Sequence, residues 1–347
     1  MNKQQLKLVS ELMDDGCGRR KIAKVLGVTE WKARELMARV EKEQRAKKGP
    51  KKKRNRKANV EIGAVNNVHT AKTSGKPQIK VSSSRLSHEE SVGFENRHVK
   101  INTRDTSMNV AVLSDIHYPY ESKEAVSLAT AYLKDFGPEI IVLNGDIIDC
   151  YSISKYNKSI SKTLTIQDEL EIAGEALQGL VNEFPDSRIL YLEGNHETRL
   201  ERLISSNAPA LGHLPSLRIN RLLELDKMGI EWISDQEDLY IGKMLFMHGE
   251  YVRKHAGSTA RAHFERYGCS VLVGHVHRLS VSWKRDKNGY HCLVENGTLC
   301  DFNVEYSRFP DWQHGFTTMR FDGDDFSIEQ HPIVGNKLVA GSKVYVA

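Results

Sequence analysis

The sequence predicts an α/β domain preceded by a small all-α domain, and three observations support this. Five short apolar runs, each typical of a buried strand, follow one another after residue 108, with helical stretches between several of them. Three segments with apolar residues at helical spacing stand at the start of the chain. A strongly basic segment separates the two regions. We expect a helical domain at 1–45, a basic, flexible linker at 46–107, the α/β domain at 108–334 and a C-terminal tail at 335–347.

Charge is distributed unevenly along the chain. The 347 residues carry a formal net charge of +5, but the first 57 hold 19 Lys and Arg against 7 Asp and Glu. Their charge of +12 leaves −7 on the remaining 290 residues. No run approaches the roughly 18 apolar residues of a transmembrane helix, and the first residues lack the apolar core of a signal peptide. The five cysteines include no C-x-x-C pair. We expect a cytoplasmic protein without membrane contact.

The first 45 residues show three short stretches of helical periodicity, separated by Gly16 and Gly27. Residues 19–40, RRKIAKVLGVTEWKARELMARV, resemble the helix-turn-helix units of bacterial and phage DNA-binding proteins. The resemblance implies that the start of the third helix contacts DNA through Trp31, Lys32 and Arg34. A protein-docking module is the alternative, and the adjoining positive charge favours DNA.

The segment 47–57, KKGPKKKRNRK, places eight positive charges in eleven positions together with one Pro and one Gly. Such a composition predicts a flexible tether rather than a packed element. It resembles a nuclear-localisation signal when taken alone, but beside a helix-turn-helix we expect it to bind DNA phosphates. The residues expected to do so are Lys51, Lys52, Lys53 and Arg54. A short strand is expected near Val99 to Ile101, within the rest of the linker.

The elements of the α/β domain follow from apolar patterning. Buried strands are expected at Val110–Leu113, Ile140–Leu143, Ile189–Leu192, Met244–Met247 and Val271–Val273. Stripes of apolar residues predict helices around 126–133 and over 166–184. The runs at 291–299, 315–321 and 326–334 are typical of antiparallel strands, with a turn at 322–324 between the last two.

Each of the five apolar runs is followed at once by a polar block. These blocks are D-x-H at 115–117, G-D-x-x-D at 145–149, G-N-H-E at 194–197, H-G at 248–249 and G-H-x-H at 274–277. Ligands of α/β folds bind beyond the carboxyl ends of the strands, so the five blocks are expected to converge. Imidazole, carboxylate and amide groups together suit a divalent ion such as Mn, Fe or Zn. A shared carboxylate allows two such ions about 3.5 to 4 Å apart.

In this order the five blocks resemble those of the calcineurin-like metallophosphoesterases, over residues 108–334. The resemblance implies an α/β/β/α sandwich that follows the helix-turn-helix domain and the basic linker. It also implies two divalent ions, with manganese favoured and iron, zinc, magnesium or nickel as alternatives. One ion would be held by Asp115, His117 and His277, the other by Asn195, His248 and His275, with Asp146 bridging the two.

The same resemblance implies a mechanism. A hydroxide bridging the two ions attacks the phosphorus in line, while His196 protonates the leaving oxygen and the Asp149 carboxylate orients His196. General acid catalysis of this kind contributes roughly 10² to 10⁴ in rate.

One position departs from the protein serine/threonine phosphatases of this superfamily. Their second block continues as G-D-x-V-D-R-G, with an Arg that grips a terminal phosphate, whereas this chain has Cys150 there. The missing guanidinium favours a phosphodiester substrate over a monoester. Arg199 and Arg278 are the residues expected to bind the substrate instead.

We therefore expect a metal-dependent phosphodiesterase that cleaves DNA, a nuclease of phage or bacterial type in the cytoplasm of a bacterium or a phage-infected host cell. One alternative is a phosphoprotein or small-nucleotide phosphatase localised by its N-terminal module. Another is a non-catalytic DNA-binding regulator, although the complete set of expected ligands argues against it. Homo-oligomer formation is left open by the sequence.

Overall fold

The computed structural model describes residues 9–10, 12–13, 19–26, 28, 37, 40, 97–103, 107–156, 158–159, 162–303 and 310–347. The chain divides into two compact units, Met1–Lys72 and Thr73–Ala347. Among the residues described, no helix combines the length and the apolar character needed to cross a membrane.

In the first unit, helix α1 spans Arg19–Leu26. Its Ile22 is fully buried and forms a small apolar cluster with Val9 and Val40, which come from the first and third stretches of helical periodicity. The helix-turn-helix as a whole stays a prediction. The expected DNA contacts lie outside the described residues: Trp31, Lys32, Arg34, Lys51, Lys52, Lys53 and Arg54.

The second unit contains the α/β domain. Its strands are β1 Arg97–Ile101, β2 Ser107–Leu113, β3 Ile140–Asn144, β4 Arg188–Leu192, β5 Glu231–Ile233, β6 Glu237–Ile241, β7 Met244–Met247, β8 Ser270–Val273, β9 Leu279–Asp286, β10 Gly289–Asn296, β11 Gly315–Asp322, β12 Asp325–Val334, β13 Lys337–Ala340 and β14 Lys343–Val346. Its helices are α2 Lys123–Phe136, α3 Ile166–Glu183, α4 Arg199–Asn207, α5 Ile219–Leu222, α6 Leu225–Met228 and α7 Ser258–Tyr267. The strand expected near Val99 to Ile101 is present as β1.

The strands form two sheets. One has the order β1-β6-β7-β8-β10-β9, and the other has the order β14-β13-β12-β11-β2-β3-β4-β5. Strands β2, β3, β4 and β5 are parallel neighbours in the second sheet, and β7, β8 and β10 are parallel neighbours in the first. The carboxyl ends of each parallel group therefore lie along one edge of its sheet.

Three apolar layers hold the sheets and helices together. Alternate residues such as Val112 of β2 and Phe246 of β7 form a core between the two sheets. The opposite face of the second sheet packs on α2 and α3 through residues such as Leu143 and Leu177, and the first sheet packs on α7 through Phe264. The α/β/β/α sandwich expected from the sequence is confirmed.

The long helices begin and end where local chemistry favours it. Ser122 caps α2, accepting a hydrogen bond from the Ala125 amide at 3.2 Å, and Gly137 ends that helix with a φ of 64°. Thr165 and Asp168 form a complete capping box at the start of α3.

Three segments differ from the sequence-based expectation. The run at 291–299 forms β10, which is antiparallel to β9 but parallel to β8. Strand β9 was not expected, although Leu279, Val281 and Trp283 alternate with serines in its first half; most of its side chains are exposed. The expected C-terminal tail, 335–347, is instead the hairpin β13–β14, which extends the second sheet and buries Leu338 completely. One buried residue in a four-residue strand is too weak a pattern to predict.

Candidate metal centre

All five polar blocks directly follow strands, as their positions in the sequence predicted. The first three follow the parallel neighbours β2, β3 and β4, and the other two follow β7 and β8. Backbone hydrogen bonds connect these loops, such as those from the Asp115 amide to the Gly145 carbonyl at 3.1 Å and from the Gly274 amide to the His248 carbonyl at 2.9 Å. The loops therefore form one connected edge of the sandwich.

The backbone of this edge is unusual. Five of the seven expected metal ligands have left-handed φ angles: Asp115 (55°), His117 (58°), Asp146 (52°), His275 (67°) and His277 (56°). Such angles are uncommon for residues other than glycine and cost of order 1–3 kcal/mol each. Strained backbone of this kind clusters at functional sites. Here it turns successive side chains of a block towards the same edge.

Three glycines of the blocks leave room for the ligand side chains, and a Cβ on one of them, Gly274, would lie 2.7 Å from Asp115 Oδ2. A Cβ on Gly145 would lie 2.5 Å from His248 Nδ1, and one on Gly194 would lie 2.4 Å from Asp146 Oδ1. These separations are far below van der Waals contact, so only glycine fits without displacing a ligand. Gly145 also has a φ of 82°, which favours glycine independently.

One group of donor atoms gathers around His117 and His277. Their Nε2 atoms are 3.3 Å apart, and His277 Nε2 is 3.1 Å from Asp115 Oδ1. All three side chains are buried. Two imidazoles and a carboxylate therefore direct ligand atoms into the same small space.

A second group gathers around His248. Its Nε2 atom is 3.1 Å from Asp146 Oδ2 and 3.2 Å from Asn195 Oδ1. Ligand atoms of Asp146, His248 and His275 lie within 4.8 Å of one another, and so do those of Asp146, Asp115 and His117. Asp146 is thus common to both groups.

The ligand nitrogens are oriented by hydrogen bonds on the other side of each ring. His248 Nδ1 donates to the Asn144 carbonyl oxygen at 3.0 Å, and His117 Nδ1 donates to Asp149 Oδ2 at 3.1 Å. Each ring therefore turns its Nε2 lone pair towards the centre, the arrangement found in metal-ligating histidines.

The electrostatics of the site fit divalent cations. Burial alone would raise the pKa of the Asp146 carboxyl, but the nearby imidazoles of His196 and His248 hold that pKa well below its usual range. Although burial disfavours protonation of His248, the Asp146 carboxylate raises the pKa of His248 to about 10. The cluster thus favours positive charge among its ligand atoms. Bound cations would supply that charge in place of protons. Nitrogen and oxygen donors together suit a borderline divalent ion.

Glu197, which the sequence analysis left without a role, organises the loop after β3. Its carboxylate is 1% exposed and accepts hydrogen bonds from the amides of Asp146 (3.0 Å), Ile147 (2.8 Å) and Gly194 (2.9 Å) and from the Tyr191 hydroxyl (2.7 Å). These bonds fix the position of Asp146 from behind. Its place in the G-N-H-E block was the signal for such a role.

His196 lies beside the ligand groups, with its ring centroid 4.4 Å from that of His117. His196 Nδ1 is 2.8 Å from the Asp149 carbonyl oxygen, an acceptor only, so Nδ1 carries the proton. Arg199 Nη2 donates to His196 Nε2 at 2.8 Å. Burial lowers the pKa of His196 to about 3, and the Arg199 charge acts in the same direction.

The structure corrects the role expected of the Asp149 carboxylate. Its carboxylate was expected to orient His196, but the nearest separation between them is 3.7 Å. The carboxylate instead accepts from His117 Nδ1 and from Arg199 Nη1, both at 3.1 Å, while its backbone carbonyl orients His196. Burial opposes ionisation of Asp149, yet the hydrogen bond and charge of His117 lower its pKa to about 2.

The two expected substrate-binding arginines differ in position. Arg199 reaches the centre through its contacts with His196 and Asp149. Arg278 is 7% exposed, and its guanidinium is engaged by other groups: it donates to the backbone carbonyls of Lys254 (2.8 Å) and Arg253 and lies 3.6 Å from Asp311 Oδ2. The guanidinium of Arg278 therefore supports a loop. Sequence position beside His277 could not reveal this.

Two further side chains adjoin the centre without having been expected there. The Trp312 ring meets the His277 ring edge to face, with centroids 4.2 Å apart. Cys300 offers a sulfur atom within 4.8 Å of the ligand atoms of His117 and His277. Both residues come after the last polar block, and no spacing motif connects them to it.

Comparison with known proteins identifies relatives of this arrangement. Residues 108–279 match the family model described as calcineurin-like phosphoesterase, and this range contains all five blocks. The chain is 25% identical over 257 residues to the Gene 54 protein of Mycobacterium phage L5, covering 69% of this chain and 99% of the relative. The corresponding protein of Mycobacterium phage D29 is 26% identical over 255 residues, with the same coverage. Among solved structures, Vacuolar Protein Sorting 29 from Cryptosporidium parvum is similar, with a TM-score of 0.39, 17% identity, and coverage of 70% of this chain and 100% of that one.

Proposed function

The chain belongs, through residues 108–279, to the calcineurin-like phosphoesterases, and from this premise we propose that it is a phosphodiesterase that cleaves DNA. Metal-dependent hydrolysis of a phosphoester follows from the family. The choice of a diester, of DNA and of manganese is our inference. Both curated relatives are phage proteins, which supports a phage-infected host cell as the setting.

Seven side chains would hold two divalent cations. Asp115, His117 and His277 serve one cation, Asn195, His248 and His275 the other, and Asp146 serves both. When bound, such cations activate water and neutralise charge on the phosphoryl oxygens. The chain itself contributes fixed geometry. The strained backbone, the space left by the glycines and the hydrogen bonds of Glu197 hold the ligand side chains in place before a substrate binds.

His196 would supply a proton to the leaving oxygen. In the free protein its Nε2 atom carries a lone pair and accepts from Arg199. A bound phosphoester would offer oxygen acceptors to Arg199 and add negative charge beside His196. Both changes raise the pKa of His196 and allow Nε2 to carry a proton towards the leaving group.

The preference for a diester rests on one observation, the small number of arginine side chains that can bind a phosphate at the centre. Cys150 is fully buried at the position where serine/threonine phosphatases have an arginine, and Arg278 is engaged with backbone carbonyls. Of the two expected substrate-binding arginines, only Arg199 remains for the phosphate. One guanidinium matches the single charge of a diester better than the double charge of a monoester.

A phosphomonoesterase is the second candidate, because Arg199 lies within hydrogen-bonding distance of the expected acid His196. A substrate panel separates the two. Full-length protein with Mn²⁺ is offered bis(4-nitrophenyl) phosphate, 4-nitrophenyl phosphate and linear DNA, and we expect turnover of the diester and the DNA. Turnover of the monoester alone would contradict the proposal.

His196→Ala should lower kcat on DNA by about 10² to 10⁴, the usual contribution of a general acid. Its metal content should stay unchanged, since His196 is not among the proposed ligands. His213→Ala, on an exposed histidine, is the matched control and should keep full activity.

DNA is proposed as the polymer because of the basic N-terminal region. The +12 charge of residues 1–57 can bind duplex phosphates by counterion release. Tethering then raises the local concentration of phosphodiester at the centre without any new contact. Trp31, Lys32 and Arg34 are the proposed groove contacts, and Lys51 to Arg54 are the proposed phosphate contacts.

A further inference from the structure

Residues 249–257 connect His248 to helix α7 without forming helix or strand, and we call them the β7–α7 loop. Its central side chains, Arg253, Lys254 and His255, are exposed. The loop begins beside the proposed metal ligands, since a Cβ on Gly249 would lie 3.6 Å from the Cβ of His275. The loop therefore starts beside the centre, and the backbone of Arg253 and Lys254 is held by Arg278, the residue that follows the proposed ligand His277.

Two buried ionisable side chains of opposite sign hold the backbone of this loop. Arg278 donates to the carbonyls of Arg253 and Lys254, as described above. Glu295 is fully buried and accepts from the amides of Gly257 (2.8 Å) and Thr259 (2.8 Å). Both ends of the exposed segment are thus tied to the protein interior.

Two further buried groups hold the same loop. His263 and Thr259 of α7 are fully buried, and they accept hydrogen bonds from the amides of Glu250 and Arg253, each at 3.1 Å. The Tyr251 ring lies 4.7 Å from the ring of His263, and the Arg253 guanidinium lies 5.3 Å over that Tyr251 ring. Arg253 therefore has a defined orientation although it is exposed.

Burying the charged side chains of Arg278 and Glu295 has a free-energy cost, and the result of that cost is a rigid loop backbone. Burying an ionised group costs several kcal/mol unless its hydrogen bonds are well satisfied, and apolar side chains would stabilise the fold as well or better. Among the described residues, Arg278 has only an exposed carboxylate, that of Asp311 at 3.6 Å, as a charged neighbour, and both Arg278 and Glu295 are directed at backbone groups of one loop. The result is a rigid backbone under two cationic side chains, which is the requirement of a binding surface rather than of a connecting loop.

We propose that the β7–α7 loop binds the phosphate adjacent to the scissile phosphodiester, through Arg253 and Lys254. The ligand class is the backbone of a nucleic-acid strand, because two cations on a fixed backbone that begins beside the centre match a second phosphate along the same chain. This inference rests on the proposed function. It assigns the preference for a polymer over a small diester to the catalytic domain itself, in addition to the N-terminal region.

A substrate-length series in the full chain tests the proposal. The variant Arg253→Ala/Lys254→Ala is compared with Arg261→Ala/Lys287→Ala, which removes two exposed charges elsewhere. In the wild type, kcat/KM should rise as oligonucleotides lengthen from one phosphodiester to several. On the longer oligonucleotides, the kcat/KM of the loop variant should be about three- to tenfold below that of the wild type, since each exposed charge contact contributes roughly 0.2–1 kcal/mol. Hydrolysis of bis(4-nitrophenyl) phosphate should not change in either variant.

Binding without turnover provides a separate readout. Fluorescence anisotropy of a labelled oligonucleotide in EDTA should show that the loop variant reduces the slope of log Kd against log salt by about 1 to 2, since each lost phosphate contact reduces it by about 0.7 to 0.9. The control variant should leave the slope unchanged.

Equal length dependence and equal salt slopes in the two double variants would overturn the loop proposal. An equal loss on the small diester would also overturn it, because the loop would then act on the reacting phosphate or on the fold. If the wild type cleaves no phosphodiester of any length, the proposed function fails instead. The anisotropy measurement then still decides whether the loop binds nucleic acid.

Discussion

Gly194 shows how closely the centre is packed at the scale of single residues. A Cβ at this position would lie 2.3 Å from the Asp146 amide, 2.4 Å from Asp146 Oδ1 and 2.7 Å from Glu197 Oε2. The first atom belongs to the backbone and the other two belong to buried side chains, so none can move away cheaply. Asp146, the carboxylate shared by both ligand groups, would have to move.

Gly194→Ala should therefore abolish binding of at least one metal ion and lower kcat by at least the contribution of the general acid, about 10²-fold. Elemental analysis and turnover of the small diester measure the two effects. Gly174→Ala in helix α3 is the control, because a Cβ there meets no atom of the described residues within 4 Å. It should stabilise the helix by about 0.5–1 kcal/mol and keep full metal content. Full metal content in Gly194→Ala would refute this account of the glycine.

The sequence indicated residue types at this scale but not their contacts. The five blocks could be found because strand ends converge, and the seven expected ligands do lie together. The orientation of His196 by the Asp149 carbonyl could not be predicted, since a backbone partner leaves no sequence signal. The role of Arg278 was equally hidden, because a guanidinium beside His277 can bind either a substrate or backbone carbonyls.

At the scale of elements, the C-terminal hairpin has a specific role in the fold. Leu338 of β13 is fully buried in the layer between the second sheet and α2 and α3, whereas its neighbour Val339 is 61% exposed. Lys343 and Tyr345 of β14 bond to Asp135 of α2, at 3.0 Å and 2.7 Å. The hairpin therefore covers one end of the core.

Leu338→Ala should lower the free energy of unfolding by about 2–5 kcal/mol, the usual cost of removing a buried leucine side chain. Val339→Ala, one position along the same strand, should change it by less than about 0.5 kcal/mol. Urea denaturation followed by circular dichroism measures both. Similar values for the two variants would mean that the hairpin does not belong to the cooperative core.

Elements with continuous apolar runs were predictable and exposed or short elements were not. Strands β3, β4 and β8 are buried on both faces and stand out in the sequence, as do the apolar stripes of α2 and α3. Strand β9, LSVSWKRD, lies at an edge of its sheet with most side chains exposed, where pairing with β10 rather than burial defines it. Because β9 and β10 form a hairpin joined by Lys287 and Asn288, the pairing is local, and the alternation of Leu279, Val281 and Trp283 was the signal that could have predicted β9.

At the scale of the whole molecule, charge separates two tasks. The body beyond residue 57 carries −7, but its Asp115 and Asp146 belong to the proposed metal ligands. Two divalent cations there would reverse the local sign that a phosphate meets. The N-terminal 57 residues supply the long-range attraction for DNA.

Replacing Lys51, Lys52, Lys53 and Arg54 by Gln should weaken duplex binding and reduce the slope of log Kd against log salt by about 2 to 4, as each phosphate contact contributes about 0.9. Hydrolysis of bis(4-nitrophenyl) phosphate should be unaffected. A control with Lys227, Lys243, Lys287 and Lys337 replaced by Gln removes the same charge from exposed positions of the body. Equal salt slopes in the two variants would show that the basic segment is not the anchor.

The central claim is that one chain holds two divalent ions that share Asp146. Titrating Mn²⁺ into metal-free full-length protein, with calorimetry and elemental analysis, tests this most directly. We predict two ions per wild-type chain, weakened binding of both in Asp146→Ala, and two ions in the exposed control Asp226→Ala. One ion or none in the wild type, or two tightly bound ions in Asp146→Ala, would contradict the account.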